Sequence, residues 1–438
     1  MRTFLFLITL LFCVFSYSQS TEKEQVIQYL QKDYNYLENL YKHFHQNPEL
    51  SFLEEKTAAR LAKELKEIGF EVTEKVGGHG IVGVLKNGEG PTILVRADMD
   101  ALPILEETGL DYASEVKMTD ITGDKVSVMH ACGHDMHITV WTGAARALAK
   151  MKDQWKGTVV FIGQPAEERG SGARNMLKEG LFEKFPVPDY GVALHVHAGM
   201  PAGTIGYCPE FSMANVDMMN IKVFGEGGHG AYPHTTIDPV VLAAKIIVDI
   251  QTIVSREVSP LDPAVVTVGS IHGGTKGNVI PNEVEMKLTL RSYTDEVRQT
   301  LIDKIKLKCK AAAMAAGLSE DKYPEVKLRD EFTPALYNDP KLTDRIADVF
   351  VENFGKKNIH RQAPVMGGED FGRYGKTEDN VPIFMYRLGV VNPKRFEEYQ
   401  AEGKQLPSLH SSKFAPDIEP SIKTGVRSMV LAVLELLD

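Results

Sequence analysis

Short apolar runs that alternate with amphipathic helical segments constrain the fold of this chain most strongly. The runs cover residues 81–85, 92–97, 158–163 and 190–194, and the clearest helical periodicity between them spans residues 136–151. Two earlier periodic segments predict helices, the first of which Pro48 ends. Alternation of strands and helices predicts an α/β fold, in which helices cover both faces of a sheet.

The pattern changes near Ser212. Strands are predicted at residues 216–224, 264–271, 279–291 and 325–332, with helices from Asp238-Pro239 to about residue 254 and over residues 295–316. The order βαββαβ predicts a ferredoxin-like insertion. Helical character then returns and ends in an amphipathic helix over residues 421–437. We therefore predict one discontinuous domain, residues 19–213 and 334–438, that is interrupted by a smaller domain at residues 214–333.

Composition excludes one class of partner. The 438 residues carry 49 basic and 59 acidic side chains, a formal charge of −10. A nucleic-acid-binding protein would need a clustered basic surface, so this balance argues against such a partner.

The first 18 residues resemble a signal peptide. Arg2 precedes an apolar stretch at residues 4–15, which is too short to span a bilayer, and small residues follow at Ser16 and Ser18. We expect cleavage near Ser18 and export to the periplasm or the medium; a short buried helix or a membrane anchor is the alternative. Three cysteines remain after cleavage, and an odd number argues against a disulfide framework.

Residues with metal-binding or acid–base chemistry cluster next to the predicted strand ends, where α/β folds place their sites. A single histidine is more often a core or surface residue than a ligand, but several such clusters together are hard to explain by chance. The clusters are Arg96-Ala97-Asp98-Met99-Asp100, His130-Ala131-Cys132-Gly133-His134-Asp135-Met136-His137, Pro165-Ala166-Glu167-Glu168, Leu194-His195-Val196-His197 and Leu409-His410-Ser411-Ser412.

Two of these clusters have a local geometry that can be predicted. Gly133 would let the backbone turn so that Cys132 and His134 point at one place. Glu167 and Glu168 follow an apolar strand, yet neighbouring strand residues point in opposite directions. The two glutamates must therefore lie on a turn beyond the strand if they serve one site.

In these motifs, from His45-Gln46-Asn47-Pro48-Glu49-Leu50 to Leu409-His410-Ser411, the chain resembles the aminoacylase and glutamate-carboxypeptidase family of two-metal peptidases. Its Cys-Gly-His-Asp motif is similar to that of the amidohydrolase branch, which includes hippurate and indole-acetyl-amino-acid hydrolases. The resemblance implies a metallopeptidase-type catalytic domain, with a mixed sheet between helices, and a ferredoxin-like lid and dimerisation domain.

The resemblance also implies roles for individual residues. Glu167 matches the catalytic base, while Asp98 and Asp100 match aspartates that support the site by orienting ligands. The implied metal ligands are Cys132, His134, Glu168, His195 and His410.

These residue types suit amide hydrolysis. A divalent metal polarises the amide carbonyl and brings the pKa of a bound water towards neutrality, and a second metal can share that water. Glu167 would take the proton of the water and pass it to the leaving amine. The Cys132 thiolate favours zinc for the two ions, with manganese, cobalt and nickel as alternatives.

Further residues of the insertion match the family pattern. His229, in a glycine-rich loop, is expected to hold the scissile carbonyl oxygen at the site of a partner subunit, which implies a homodimer. Asn278 and Arg291 are expected to bind the substrate carboxylate or carbonyl, although a surface ion pair is the alternative for Arg291. Glu369 is expected to support the metal site or to act as an acid at a helix N-terminus.

Two positions depart from the branch pattern. Met136 stands where the branch usually has glycine, and Ser412 where it often has proline. Neither position is an expected ligand, so the departures affect the predicted pocket shape and substrate choice more than activity.

Three rival functions fit the sequence less well. The segment 225–230 satisfies G-x-G-x-x-G, but Pro233 follows at once and Asp249 falls within a helix, which argues against a dinucleotide-binding enzyme. A catalytically inactive binding protein is disfavoured because every expected ligand and the base are present. A dipeptidase or carboxypeptidase of the same family is the third alternative, but Cys132 favours hydrolysis of small N-acyl amino acid substrates.

Overall fold

The structure is a computed structural model, and it describes residues 21–330 and 332–438. The predicted signal peptide, residues 1–18, lies outside the described residues. Within the described ranges, no helix has both the length and the apolar character that a membrane span requires.

Helices and strands alternate along most of the described chain. The α-helices are α1 Thr21–Gln46, α2 Glu55–Glu67, α3 His134–Lys150, α4 Gly172–Lys178, α5 Leu181–Lys184, α6 Pro239–Thr252, α7 Asp295–Ala315, α8 Pro340–Phe354, α9 Pro393–Ala401 and α10 Ile418–Leu437. The strands are β1 Glu71–Val76, β2 Gly80–Asn87, β3 Thr92–Asp98, β4 Lys117–Thr119, β5 Lys125–Ser127, β6 Gly157–Gln164, β7 Tyr190–Pro201, β8 Ile205–Tyr207, β9 Glu210–Met213, β10 Asn215–Phe224, β11 Gly228–His229, β12 Ala264–Gly273, β13 Val279–Ile280, β14 Glu283–Ser292, β15 Glu325–Leu328, β16 Leu336–Asn338, β17 Ile359–Arg361 and β18 Ile383–Val391.

The chain forms two compact units. The larger unit contains residues up to Pro209 together with 338–362 and 374–438, and the smaller unit contains residues 210–337 and 363–373. Segment 363–373, which was expected in the catalytic part, groups with the smaller unit. The catalytic role of one unit and the lid and dimerisation role of the other stay predictions.

A mixed sheet forms the core of the larger unit, as the predicted fold class requires. Its strand order is β1-β2-β6-β3-β7-β18-β8-β17. The central strands β6, β3, β7 and β18 are parallel, whereas β1, β2 and β8 join through antiparallel pairs. The parallel strands therefore end at one edge of the sheet, and they bring distant sequence segments together there.

Helix α3 lies against this sheet and is almost entirely buried. It packs against α1 and α10, and Trp141 donates from its indole N–H to the Val95 carbonyl of β3 at 3.1 Å. Close packing on all sides fixes the position of its first residue, His134.

The smaller unit has the predicted βαββαβ order. Its four-stranded sheet has the order β12-β14-β10-β15 with antiparallel neighbours, which is the arrangement of a ferredoxin-like fold. Helix α6 begins as predicted, because the Asp238 carboxylate accepts from the Val240 and Val241 amides and Pro239 occupies the first helical position. The α-helix ends at Thr252, and a π-helical turn then continues to Glu257.

His45 joins three parts of the larger unit. It lies near the end of α1, where its Nδ1 is 2.7 Å from Asp135 at the start of α3 and its Nε2 is 3.0 Å from Glu106 in the loop between β3 and β4. Burial works to lower the pKa of His45, but the two carboxylates outweigh it and raise that pKa to about 9. A buried imidazolium thus ties α1 and the loop to α3.

This contact predicts a dependence of stability on pH. Since the folded-state pKa of about 9 lies above the ordinary histidine pKa of 6.5, the stabilisation is fully present below pH 6.5 and is lost as pH rises through 9. Urea denaturation should show the gap in unfolding free energy between wild type and His45→Gln narrowing by ~3 kcal/mol over that window. A gap that is constant from pH 6 to 10 would contradict the charged state of His45.

Candidate metal centre

The carboxyl ends of β3 and β6, the middle of the neighbouring strand β7 and the start of α3 carry the predicted site. Asp98 ends β3, Glu167 and Glu168 follow β6, and His195 lies in β7. His134 is the first residue of α3. The expectation that these segments converge at one sheet edge therefore holds for the larger unit.

The Cys132-Gly133-His134 turn depends on its glycine. Gly133 has φ +80°, and a Cβ atom added there would lie 2.6 Å from Val196 Cγ2. Only glycine fits this left-handed turn so close to β7. The turn brings the Cys132 thiol, the His134 ring and the His195 ring together, with ligand-type atoms all within 4.8 Å of one another.

The Cys132 thiol is shared by two groups of candidate ligands. Its Sγ is 3.6 Å from His195 Nε2 on one side and 3.3 Å from His410 Nε2 on the other. Glu168 belongs to the second group, with its Oε1 3.5 Å from His410 Nε2. The structure therefore brings together all five residues that were predicted as metal ligands.

Two of the candidate ligand atoms have no hydrogen-bond partner among the described residues. His134 Nε2 and Glu168 Oε1 are buried, lie 4.0 Å apart and make no hydrogen bond within the described ranges. Burial, followed by the Glu168 and Glu167 carboxylates, raises the pKa of the Cys132 thiol well above its ordinary value. A divalent cation would satisfy the open atoms and supply the charge that stabilises the thiolate, so these residues fit a metal site.

Asp100 holds the two glutamates in place. Its Oδ1 accepts from the Glu167 amide at 3.1 Å, and its Oδ2 accepts from the Glu168 amide at 3.0 Å and from the Ser51 hydroxyl at 2.6 Å. Glu167 and Glu168 open a short 3₁₀ helix beyond β6, so the predicted turn is confirmed.

A second carboxylate supports the entry to that turn. Ala166 has φ +50°, a left-handed conformation that costs energy for any residue except glycine. The buried Glu54 accepts from the Ala166 amide at 2.7 Å and so stabilises this conformation. Sequence reasoning missed Glu54 and Ser51, although both lie in or beside the motif that follows His45.

The Asp98 carboxylate lies between the Arg96 guanidinium and the His137 ring. Its Oδ2 accepts from Arg96 Nη1 at 2.7 Å, and its Oδ1 accepts from His137 Nδ1 at 2.5 Å. Burial works to raise the pKa of Asp98, but Arg96 and then His134 outweigh it and hold that pKa well below its ordinary value. The same oxygen that meets Arg96 is 3.6 Å from His134 Nε2, while His134 Nδ1 lies 2.7 Å from the Asp100 carbonyl, which orients the ring and leaves Nε2 for a metal.

His137 is a supporting residue that sequence reasoning did not single out. While Nδ1 faces Asp98, Nε2 accepts from the Val196 amide at 2.9 Å. This bond fixes the backbone beside His195, whose own Nδ1 donates to the Val196 carbonyl at 2.8 Å and thereby turns Nε2 towards Cys132. The only signal for His137 was its position three residues after His134 on α3.

The remaining predicted residues lie in the smaller unit. His229 is exposed, pairs with Val279 and sits beside Asn278, whose carbonyl accepts from the Gly230 amide at 2.8 Å. The half-buried Arg291 lies on β14, where Nε donates to Thr289 Oγ1 at 3.2 Å and Nη1 to the Met366 carbonyl at 3.4 Å.

No described carboxylate pairs with Arg291, so the ion-pair alternative is not supported.

The buried Glu369 accepts from the Phe371 amide at 2.8 Å at the start of a 3₁₀ helix, as expected for an acid at a helix N-terminus. The functional roles of His229, Asn278 and Arg291 stay predictions.

Comparison with known proteins identifies the family of this chain. The model of peptidase family M20/M25/M40 matches residues 94–434. A thermostable carboxypeptidase of Saccharolobus solfataricus is 35% identical over 395 residues, 89% of this chain and 93% of the relative. A hippurate hydrolase of Campylobacter jejuni is 40% identical over 361 residues, 79% of this chain and 89% of the relative.

Two solved structures share the fold. A putative aminohydrolase from methicillin-resistant Staphylococcus aureus superposes with a TM-score of 0.82 at 33% identity, covering 95% of this chain and 100% of the other. A dinuclear metal-binding peptidase of the M20 family from Bacillus subtilis gives 0.74 at 28% identity, covering 93% and 99%. The chain therefore belongs to peptidase family M20/M25/M40 and is a metal-dependent amidohydrolase of that family.

Proposed function

We propose that this protein hydrolyses the amide bond of N-acyl amino acids to a carboxylate and a free amino acid. The observation that carries the proposal is the contact of the Cys132 thiol with both His195 and His410, beside the Glu167-Glu168 turn. A hippurate hydrolase and two deacetylases of N-acetylcysteine among the relatives act on substrates of this class, as their names state. These names support the proposed substrate class.

Cys132, His134, Glu168, His195 and His410 would hold two divalent ions, with zinc favoured by the thiolate and manganese, cobalt or nickel as alternatives. When bound, these ions would polarise the amide carbonyl and make water a better nucleophile at neutral pH.

Glu167 and Glu168 divide the chemistry between them. Glu168 Oε1 is buried and faces two imidazole rings, a position suited to a ligand. Glu167 lies in the same group with ligand-type atoms within 4.8 Å, and the resemblance to the family assigns the role of proton carrier to its carboxylate. It takes a proton from the attacking water and returns it to the leaving nitrogen, while Asp100 holds its backbone.

We propose that the smaller unit supplies substrate contacts. His229 would donate to the scissile carbonyl oxygen, and Asn278 and Arg291 would bind the substrate carboxylate or carbonyl. The free donors of the Arg291 guanidinium, which no described carboxylate neutralises, support this role. A carboxypeptidase activity is the second candidate, since two relatives carry that name.

The proton-transfer role of Glu167 gives a direct prediction. We expect Glu167→Gln to lower kcat by a factor of ~10²–10⁴, because the amide side chain cannot accept the proton, while the metal content stays at the wild-type level. The measurement is amine release from acetyl, benzoyl, indole-acetyl and dipeptide substrates, with metal analysis of the same samples.

Glu168→Gln is the matched control, since it changes the neighbouring carboxylate in the same way. This variant should lose metal as well as activity. Near wild-type turnover by Glu167→Gln on every substrate of the panel would refute the mechanism, and turnover of the dipeptides alone by wild type would favour the carboxypeptidase.

Export and assembly also remain proposals. The first 18 residues support export, with cleavage near Ser18. A homodimer through the smaller unit is supported by exposed apolar side chains on α6, Val240, Val241 and Val248, the last of which is 70% exposed, and by β12 at the edge of its sheet.

We predict that Val248→Glu converts a wild-type dimer into a monomer, because it places a charge in the apolar face of α6. Light scattering at assay concentration measures the change, and activity should fall if His229 serves the partner's site. Ile121→Glu, at an apolar residue of the larger unit that is 56% exposed, is the control and should remain dimeric. A fully active wild-type monomer would contradict the assembly.

A further inference from the structure

The loop at residues 104–114 is anchored on two sides by consecutive glutamates. Glu106 points inwards, where it meets His45 Nε2 at 3.0 Å and accepts from the Ser114 amide at 2.7 Å. Glu107 points outwards to the loop that carries His410, through contacts with Ser412. Because Glu106 fixes the loop to the protein interior, the loop can hold in place the segment that Glu107 contacts.

His410 needs such a support more than the other candidate ligands do. It lies on an irregular segment, its φ is +64°, and 54% of its side chain is exposed. A left-handed histidine persists only where surrounding contacts stabilise it. By contrast, His134 and His195 are placed by a buried helix and a central strand.

Hydrogen bonds hold the backbone on both sides of His410. Its own amide donates to the Ala131 carbonyl at 2.9 Å, next to Cys132. Two residues later, the Ser412 carbonyl accepts from the Glu107 amide at 2.7 Å, and the Ser412 hydroxyl donates to Glu107 Oε2 at 2.6 Å.

We propose that Glu107 and Ser412 are positioning residues that hold His410 against Cys132 and Glu168, so that its ring is ready to bind metal. This inference rests on the proposed function, because it takes His410 as a metal ligand. The proposal also explains the departure from the branch pattern at position 412. A proline there would restrict the backbone through its ring, whereas in this chain two hydrogen bonds between Ser412 and Glu107 restrict it.

The test measures metal affinity and activity separately. Ser412→Ala and Glu107→Gln should each weaken binding of the less tightly held zinc ion by about tenfold, measured by competition with a chromogenic chelator. Their kcat/KM should fall at limiting zinc and recover at saturating zinc, which a general loss of stability would not produce. Ser412→Pro should restore zinc affinity to within about twofold of wild type, because it limits the same backbone freedom.

Thr122→Ala is the matched control. Thr122 Oγ1 donates to Asp120 Oδ1 at 2.7 Å in an exposed turn, so the variant removes a similar hydroxyl–carboxylate bond away from the site and should bind zinc like wild type. If Ser412→Ala does not fold, the exposed Glu107→Gln variant carries the test alone.

The outcomes separate this inference from the function on which it rests. Zinc affinities of Ser412→Ala and Glu107→Gln equal to that of Thr122→Ala overturn the positioning role, while an active, zinc-binding wild type leaves the proposed function standing. A wild type that binds no zinc overturns both. Weakened zinc binding that Ser412→Pro restores supports the proposal.

Discussion

Burial of several carboxylates beside a thiol is the constraint on which the larger unit depends. Asp98 and Glu168 lie near enough to the Cys132 thiol to raise its pKa, and Asp98 and Asp100 are buried where little water remains to solvate charge. Buried charges persist only when they are paired or hydrogen-bonded. Arg96 and His137 satisfy Asp98, and the turn amides and Ser51 satisfy Asp100, but Glu168 Oε1 and His134 Nε2 are left open towards one another.

The buried polar side chains therefore fall into two groups: those whose hydrogen bonds are satisfied within the fold, and those that keep an atom available for a metal. The aspartates are fully engaged, so they orient ligands and the Glu167-Glu168 turn. The open atoms belong to residues that we assign to the metals. His45 extends the same principle outwards, because its buried imidazolium neutralises Asp135 and Glu106 and joins the ligand-bearing end of α3 to the loop that supports His410.

Local patterns in the sequence predicted much of this arrangement. The alternation of strands and helices, the Asp238-Pro239 start of α6, the glycine turn at Gly133 and the displacement of the two glutamates from β6 all follow from short-range rules. The five candidate ligands came from the resemblance, and they do lie together.

Contacts between distant segments could not be predicted. Glu54 reaches Ala166 across 112 residues, and Glu107 reaches Ser412 across 305, with no periodicity to mark either pair. Strands β8 and β17 have three residues each, too few for a pattern to appear. The grouping of residues 363–373 with the smaller unit likewise depends on tertiary packing and not on local sequence.

The central claim is that Cys132 and the surrounding imidazoles and carboxylates bind metal as one cluster. X-ray absorption at the zinc edge of the zinc-loaded protein tests it most directly. We predict a sulfur neighbour at ~2.3 Å from zinc in the wild type and its loss in Cys132→Ser. A coordination shell of nitrogen and oxygen alone in the wild-type protein would contradict the claim.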